Sequence, residues 1–552
     1  MTDCLIVGFN DMSFESYEGM VRLMGGARSP SYRDLALAFI TLNGKPHRAL
    51  DVINTFNPHR QPLHNADFMW PVVTYLCSFL AKHKCTYDYI NLYQQEKDLL
   101  REKLLHDNVI AVAVTTTLYV IPDPVIEIIE FVRTYNRTAK IIVGGPFIAN
   151  QYTALRKEEL EGLLSLVDAD VYVIGREGEA TLVKIITALK QEASLDHIPN
   201  IAYKGAGGYV ITNSEPEANS LEDNPVDYRL FPREQLGQFV SIRTAKSCPF
   251  SCSFCGFPQR AGNYTYTRVE CVEKELNAIR ELTDVSTITV LDDTFNVPKG
   301  RFKDILKMMI KNNYQFRWNS FYRCDHGDWE TIKLMGAAGC EGVFLGVESG
   351  SDSVLEKMNK SARRKDYLAA IPALRDEGIT TYASLIVGFP GETQRTIEET
   401  VDLVEKAKPD FFRTQLWYCE PGTPIWKQRD QFGVRGQGFG WSHNTMDSEA
   451  ACEVIDNIFL DVNASIWLPQ FGFEFWSMFY LQRKGMQMQQ IRRFLKAFNA
   501  IIREYLRSGR RAEIPPALLA ELKSASTDAW DPLGNHASAS SLSACGRTVM
   551  SD

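Results

Sequence analysis

The sequence predicts an α/β protein: a doubly wound parallel sheet, then a partial or full parallel β/α barrel, then a mostly helical unit. Three observations predict it. Short apolar runs alternate with helix-length amphipathic segments from the start of the chain to about residue 190. The same alternation resumes near residue 239 and lasts to about residue 417. Beyond residue 441 it gives way to helical segments rich in aromatics. A chain of 552 residues exceeds what one core supports, so several units of roughly 100–200 residues each are expected.

The first unit is placed at residues 1–200, with candidate strands at 4–9, 87–92, 109–115, 140–145 and 171–175. Doubly wound sheets bind ligands at their strand C-termini, where backbone must approach the ligand closely. Four of these ends carry small or polar residues: Gly8-Phe9-Asn10, Thr115-Thr116-Thr117, Gly144-Gly145-Pro146 and Gly175-Arg176-Glu177-Gly178. Any one of them reads equally well as a tight turn; four together favour a large ligand. Residues 11–69 interrupt the alternation and read as an insertion covering one face of that site. Residues 201–237, with the turn Gly205-Ala206-Gly207-Gly208, read as a linker. The second unit spans 238–440, with strands expected at 239–243, 288–291, 316–322, 342–346, 382–387 and 411–417. Residues 441–523 form the helical unit. Its aromatics Trp467 to Tyr480 fit either a core or a substrate pocket. The Ser- and Ala-rich stretch 524–552 reads as a disordered tail.

Composition excludes more than it identifies. Apolar residues make up 45% and charged residues 23%, as in an ordinary globular protein, and the net charge of -8 leaves no basic footprint for nucleic acid. The chain opens on Met1-Thr2-Asp3-Cys4 without a basic leader, and no apolar stretch is long enough to span a bilayer. Twelve cysteines without a disulfide spacing fit a reducing compartment. A cytoplasmic protein without membrane or nucleic-acid partners is therefore expected.

The most specific signal is Cys248-Pro-Phe-Ser-Cys252-Ser-Phe-Cys255, a C-x3-C-x2-C set directly after the first strand of the second unit. Three thiolates on an iron-sulfur cubane leave one iron open to chelate a small molecule. From spacing alone, a zinc site short of one ligand and buried free thiols remain alternatives. With Phe254 before the last cysteine, the motif resembles that of the radical S-adenosylmethionine (SAM) superfamily, and the resemblance extends through the unit. It implies a [4Fe-4S] cluster on Cys248, Cys252 and Cys255, with SAM held by Phe254, Asp292, Asp293, Arg323, Glu348, Ser349 and Gly388. Asp292-Asp293 stands where the family contacts the methionine amino group, with a solvated acidic turn as the alternative. The segment from Gly346 to Ser351, with Glu348 and Ser349, is similar to the ribose and methionine contact, and the segment from Ser384 to Thr393, with Gly388, to the one that packs against adenine. Arg323 matches a basic position that could pair with the SAM carboxylate.

Residues 1–190 resemble the Rossmann-like cobalamin-binding domain that precedes the core in the cobalamin-dependent branch. That implies contacts to cobalamin from Gly8, Thr115, Thr116, Gly144, Gly145, Pro146, Gly175, Glu177 and Gly178. None of the nine histidines stands in an Asp-x-His-x-x-Gly motif, so no histidine is expected on the cobalt. Residues 1–11 and the segment Trp441-Ser-His-Asn-Thr-Met-Asp-Ser448 resemble PhpK-type methyltransferases. The resemblance implies methyl transfer from SAM via methylcobalamin to an unactivated carbon or phosphorus of a natural-product intermediate, small molecule or peptide. An external donor of flavodoxin or ferredoxin type would supply electrons. A cyclase, ring-contraction or oxidative rearrangement on the same cofactors is the alternative, and a non-catalytic iron-sulfur redox protein is a third. The catalytic residues proper are not nominated by any motif.

Overall fold

The computed structural model describes residues 2–530 except 107, 218, 283, 510–512 and 529, and it contains two seven-stranded sheets. The first runs in the order Tyr87–Leu92, Thr2–Phe9, Val109–Thr115, Lys140–Gly144, Val171–Val173, Ile201–Gly205, Gly208–Ile211. Its first five strands are parallel. Cys4, Leu5, Ile6 and Val7 are all fully buried, because helices cover both faces of a central parallel strand and leave no solvent side for polar residues. The chain's second strand lies on one side of the first and its third on the other, so crossovers depart in opposite directions. That reversal opens a crevice at the strand C-termini.

The stretch 201–237 is not simply a linker. Ile201–Gly205 and Gly208–Ile211 form an antiparallel hairpin that extends the first sheet, Tyr172 pairing with Ala202 and Ala202 with Ile211. Only from about residue 212 does irregular chain lead to the second sheet.

The second sheet is parallel throughout and keeps chain order: Phe239–Ile242, Thr287–Val290, Arg317–Tyr322, Cys340–Glu348, Thr380–Val387, Phe411–Leu416, Ile466–Trp467. Its outer strands are not paired to each other, so it is a partial barrel. The strand period of two divides each strand. Val343, Leu345 and Val347 are buried on one side, while Phe344 and Gly346 on the other are only half-buried. The two-residue strand Ile466–Trp467 lies in the stretch expected to be helical. A small three-stranded antiparallel sheet, Arg435–Gln437, Gly440–His443 and Met446–Asp447, precedes it.

The insertion holds the helices Phe14–Gly25, Pro30–Ala36 and Ala49–Phe56 and the hairpin Phe39–Leu42/Lys45–Arg48. It packs against the barrel and the C-terminal region. Arg413, fully buried on strand Phe411–Leu416, pairs with Asp34 at 3.1 Å and donates to the Pro469 carbonyl. Tyr480 donates to Asp67 at 2.8 Å, and Asn57 donates to the Ser526 carbonyl at 2.9 Å. The expected tail begins too early: 524–527 complete the helix Pro516–Thr527, where Ser526 is buried with its hydroxyl on the Leu522 carbonyl at 2.7 Å. A Ser in a helix satisfies its hydroxyl on the preceding turn, which composition alone does not reveal. Residues 531–552 of that stretch lie outside the described residues. Among the described residues no helix is long and apolar enough to cross a membrane.

Candidate functional site

The cysteine loop follows the first barrel strand and is fastened from two directions, by residues 357–359 and by Ile425. The Ser253 amide donates to the Met358 carbonyl at 2.8 Å and its hydroxyl to the Lys357 carbonyl at 2.9 Å. Asn359 donates to the Ser251 carbonyl at 2.9 Å, and the Ile425 amide to the Ser253 carbonyl at 2.9 Å. The three cysteines are half-buried, whereas Cys4, Cys77, Cys85, Cys324, Cys340, Cys419 and Cys452 are buried in the core. Backbone amides of Phe250 and Phe257 donate to the sulfurs of Cys248 and Cys255. Burial pushes both thiols up, Cys255 to about 11, and each also feels Cys252. A metal must therefore displace protons here. Among the described residues no three His, Cys, Asp or Glu side chains converge on a single-ion position. In a cubane each thiolate binds a different iron, so three cysteines leave the fourth iron without a protein ligand.

The residues expected around SAM gather at the same end of the barrel, but they are not equally free. Asp292 is 1% exposed and accepts from the amides of Thr244 at 2.6 Å and Ala245 at 2.9 Å, so it organises the first strand's end instead of presenting an open carboxylate. Asp293 is solvent-accessible; burial among protein groups, opposed by Arg243, raises it to about 6. Arg323 does not stand free for a ligand carboxylate: it pairs with Asp325 at 3.0 Å, donates to Ser361 at 2.6 Å and lies 3.6 Å over the Phe250 ring. Glu348 has a φ of 63°, a conformation costly for a non-glycine, and receives Lys360 at 2.9 Å. Ser349 is fully buried with its hydroxyl on Thr400, so it fastens the loop from behind. Phe254 is half-buried, with the Lys360 ammonium 6.0 Å above its ring. Gly388 has a φ of 91° and donates to Glu392 at 2.6 Å.

A cavity of about 1180 Å³ opens at the C-terminal edge of the first sheet and reaches the second, where Ser241, Arg243 and Leu291 line it. Of the residues expected to contact cobalamin, Thr115, Gly144, Gly145, Pro146, Gly175, Glu177 and Gly178 line it. Gly8 and Thr116 do not. A side chain at Gly8 would strike the Asn91 carbonyl, so this glycine serves strand packing, and Thr116 is buried with both its amide and hydroxyl on the Gly144 carbonyl. Gly145 has a φ of 115°, and a Cβ there would stand 2.9 Å from the Thr116 hydroxyl. The cavity floor is apolar, with Ala113, Ile142, Val173 and Leu182.

Several lining residues escaped the sequence reading. Tyr75 presents a buried hydroxyl without a partner. Glu275 is pushed to about 8 by burial and then by Asp292, so at neutral pH it is a hydrogen-bond donor. Lys246, two residues before Cys248, donates to Glu177 at 2.6 Å and so ties the cysteine loop to the cavity rim. None carries a motif; only contacts across the fold expose them. No histidine is among the residues lining the cavity.

Residues 242–404 match the Radical SAM superfamily. An uncharacterized methyltransferase of Pyrococcus horikoshii is 26% identical over 304 residues, 54% of this chain and 64% of that protein. The anaerobic magnesium-protoporphyrin IX monomethyl ester cyclase of Rubrivivax gelatinosus is 26% identical over 380 residues, 65% of this chain and 66% of that protein. The matched region thus spans just under two thirds of each relative. Among solved structures, the radical SAM methyltransferase TsrM of Kitasatospora setae, with cobalamin and a [4Fe-4S] cluster bound, superposes with a TM-score of 0.54 and 19% identity over 77% of both chains. The family match falls within the second sheet and its helices, and the multidomain fold is similar to that of TsrM.

Proposed function

We propose that this chain is a cobalamin-dependent radical SAM methyltransferase acting on an unactivated carbon, or phosphorus, of a natural-product intermediate. One observation carries the reading: the cavity reaches from the first sheet to the second, and Lys246, two residues before the first cysteine of the loop, is bonded to Glu177 on its rim. When bound, the cluster supplies reductive cleavage of SAM and the cobalamin supplies a methyl carrier.

The protein's part is to hold, orient and exclude water. Cys248, Cys252 and Cys255 hold the cluster, and the amides of Phe250 and Phe257 donate to its thiolates. Phe254, Asp293, Arg323, Glu348 and Gly388 border the SAM region, with Asp292 and Ser349 holding the loops from behind. Around the cavity, glycines leave room for a broad ring, and Tyr75 and Glu275 offer donors to a carboxamide-rich ligand. Electrons come from an external flavodoxin- or ferredoxin-type donor. The PhpK-type likeness of residues 1–11 and 441–448 motivates the natural-product substrate class.

The test uses anaerobically reconstituted protein, a reductant, SAM with a labelled methyl group and an extract of candidate acceptors. The expected outcome is labelled product with both S-adenosylhomocysteine and 5'-deoxyadenosine. Unlabelled product with 5'-deoxyadenosine would replace methyl transfer by ring formation or rearrangement, the reading favoured by the similarity to the Rubrivivax cyclase. Absence of both by-products would leave the non-catalytic redox reading.

A further inference from the structure

The small sheet at 435–447 belongs to neither large sheet, and the function above gives it no task. Its middle strand, Gly440–His443, carries Trp441 and His443 two residues apart, which places both rings on one face. The rings stack in parallel, centroids 5.2 Å apart and 6° between planes. Both are nearly buried, at 3% and 9% exposure.

What they cover is the turn after the fifth barrel strand. A Cβ at Gly388 would run into the Trp441 ring, so the glycine backbone lies directly against the indole. His443 Nε2 lies 3.0 Å from the Gly388 carbonyl, and its Nδ1 faces the Thr445 hydroxyl at 3.2 Å. A carbonyl can only accept, so Nε2 carries the proton and donates to it. The Trp441 indole N–H donates to the Trp417 carbonyl at 2.7 Å, fixing the ring to the next strand. The Gly388 amide is held by Glu392 at 2.6 Å. Both polar groups of one residue, at a φ of 91°, are thus fixed from opposite sides.

We propose that Trp441 and His443 are positioning residues for the adenine half of SAM, acting through the Gly388–Glu392 turn. The proposal rests on the assignment of that turn to SAM. An unclamped glycine-containing turn samples many conformations, and ordering it on binding costs affinity; the clamp removes that cost beforehand.

The experiment titrates SAM, and separately 5'-deoxyadenosine and methionine, into the anaerobically reconstituted holoenzyme, following the electron paramagnetic resonance signal of the reduced cluster and equilibrium dialysis. Trp441→Ala and His443→Ala should each weaken SAM and 5'-deoxyadenosine about tenfold and leave methionine, iron content and bound cobalamin unchanged. His443→Gln, which keeps an N–H donor, should recover to within about threefold of the parent. Unchanged SAM affinity in both alanine variants would overturn the clamp, and so would equal weakening of methionine or parallel loss of cluster and cobalamin. If the parent enzyme itself shows no SAM-dependent signal, the assignment of the turn to SAM fails, a result distinguishable from failure of the clamp alone.

Discussion

The C-terminal edges of the two sheets solve opposite problems. At the first, glycines, threonines and small apolar residues leave an open volume, and the polar atoms that border it include an unpartnered hydroxyl and a neutral carboxyl. At the second, the polar residues are dense and largely engaged with one another: Asp292 with Thr244, Arg323 with Asp325, Glu348 with Lys360, Gly388 with Glu392. The first edge leaves an open volume while the second fixes its charges against one another, which is how a bulky ring and a small charged cofactor would each be held. Damage to the two should therefore be separable.

The largest expected effect breaks the second edge. Replacing Cys248, Cys252 and Cys255 together by Ala should reduce protein-bound iron and sulfide to background while leaving cobalamin uptake intact. Replacing Cys4 or Cys77, buried far from the loop in the sheet core, should leave the iron content unchanged. Iron and sulfide analysis after reconstitution decides it, and full iron retention in the triple variant would end the cluster assignment.

The converse variant is Gly145→Val. Its φ of 115° lies in a region almost reserved for glycine, and the new side chain meets Thr116 and the cavity wall. We expect a stability loss of about 1–3 kcal/mol and at least a tenfold loss of cobalamin affinity, with a normal cluster. Visible spectroscopy of cobalamin retained after desalting reads the effect; equal loss of cluster would contradict the separation.

The last effect is a pH dependence, which leaves both edges in place. Burial holds the Glu392 carboxyl at about 7, against 4.5 for the free side chain. Between those values the folded protein keeps a proton that the unfolded chain has released. The stability difference is therefore fully present below about pH 4.5 and is lost as pH rises through 7, by roughly 2–3 kcal/mol. Urea unfolding at pH 5 and pH 8 should show that slope, and Glu392→Gln, which can still accept from Gly388, should flatten it.

Much of this architecture was legible in the sequence because parallel strands buried on both faces appear as short apolar runs, and because cluster ligands must be close together in the chain. What was not legible depends on partners far away in sequence. Residues 201–211 read as linker because an edge hairpin is defined by the sheet it joins. Ile466–Trp467 is too short to show a period. Gly8 looked like a ligand contact because a glycine at a strand end signals close approach without saying to what; here it is the Asn91 carbonyl. Arg323 follows the third barrel strand, and its Asp325 partner has no signature. Trp441 and His443 stood out as a motif whose purpose only the fold reveals.

The buried pair Asp34–Arg413 bears on how the molecule is made. Its members are separated by 379 residues, with Arg413 fully enclosed. At about 5–20 residues per second, a ribosome that has released Asp34 needs roughly another 20–75 s to deliver the arginine. During that interval the first sheet can assemble and the helix Pro30–Ala36 can pack within the insertion on Phe14 and Phe39, but Asp34 stays without its arginine. Completion of the N-terminal half therefore waits on the synthesis of the barrel's penultimate strand, and a chain halted before residue 413 would leave the ribosome with its insertion undocked.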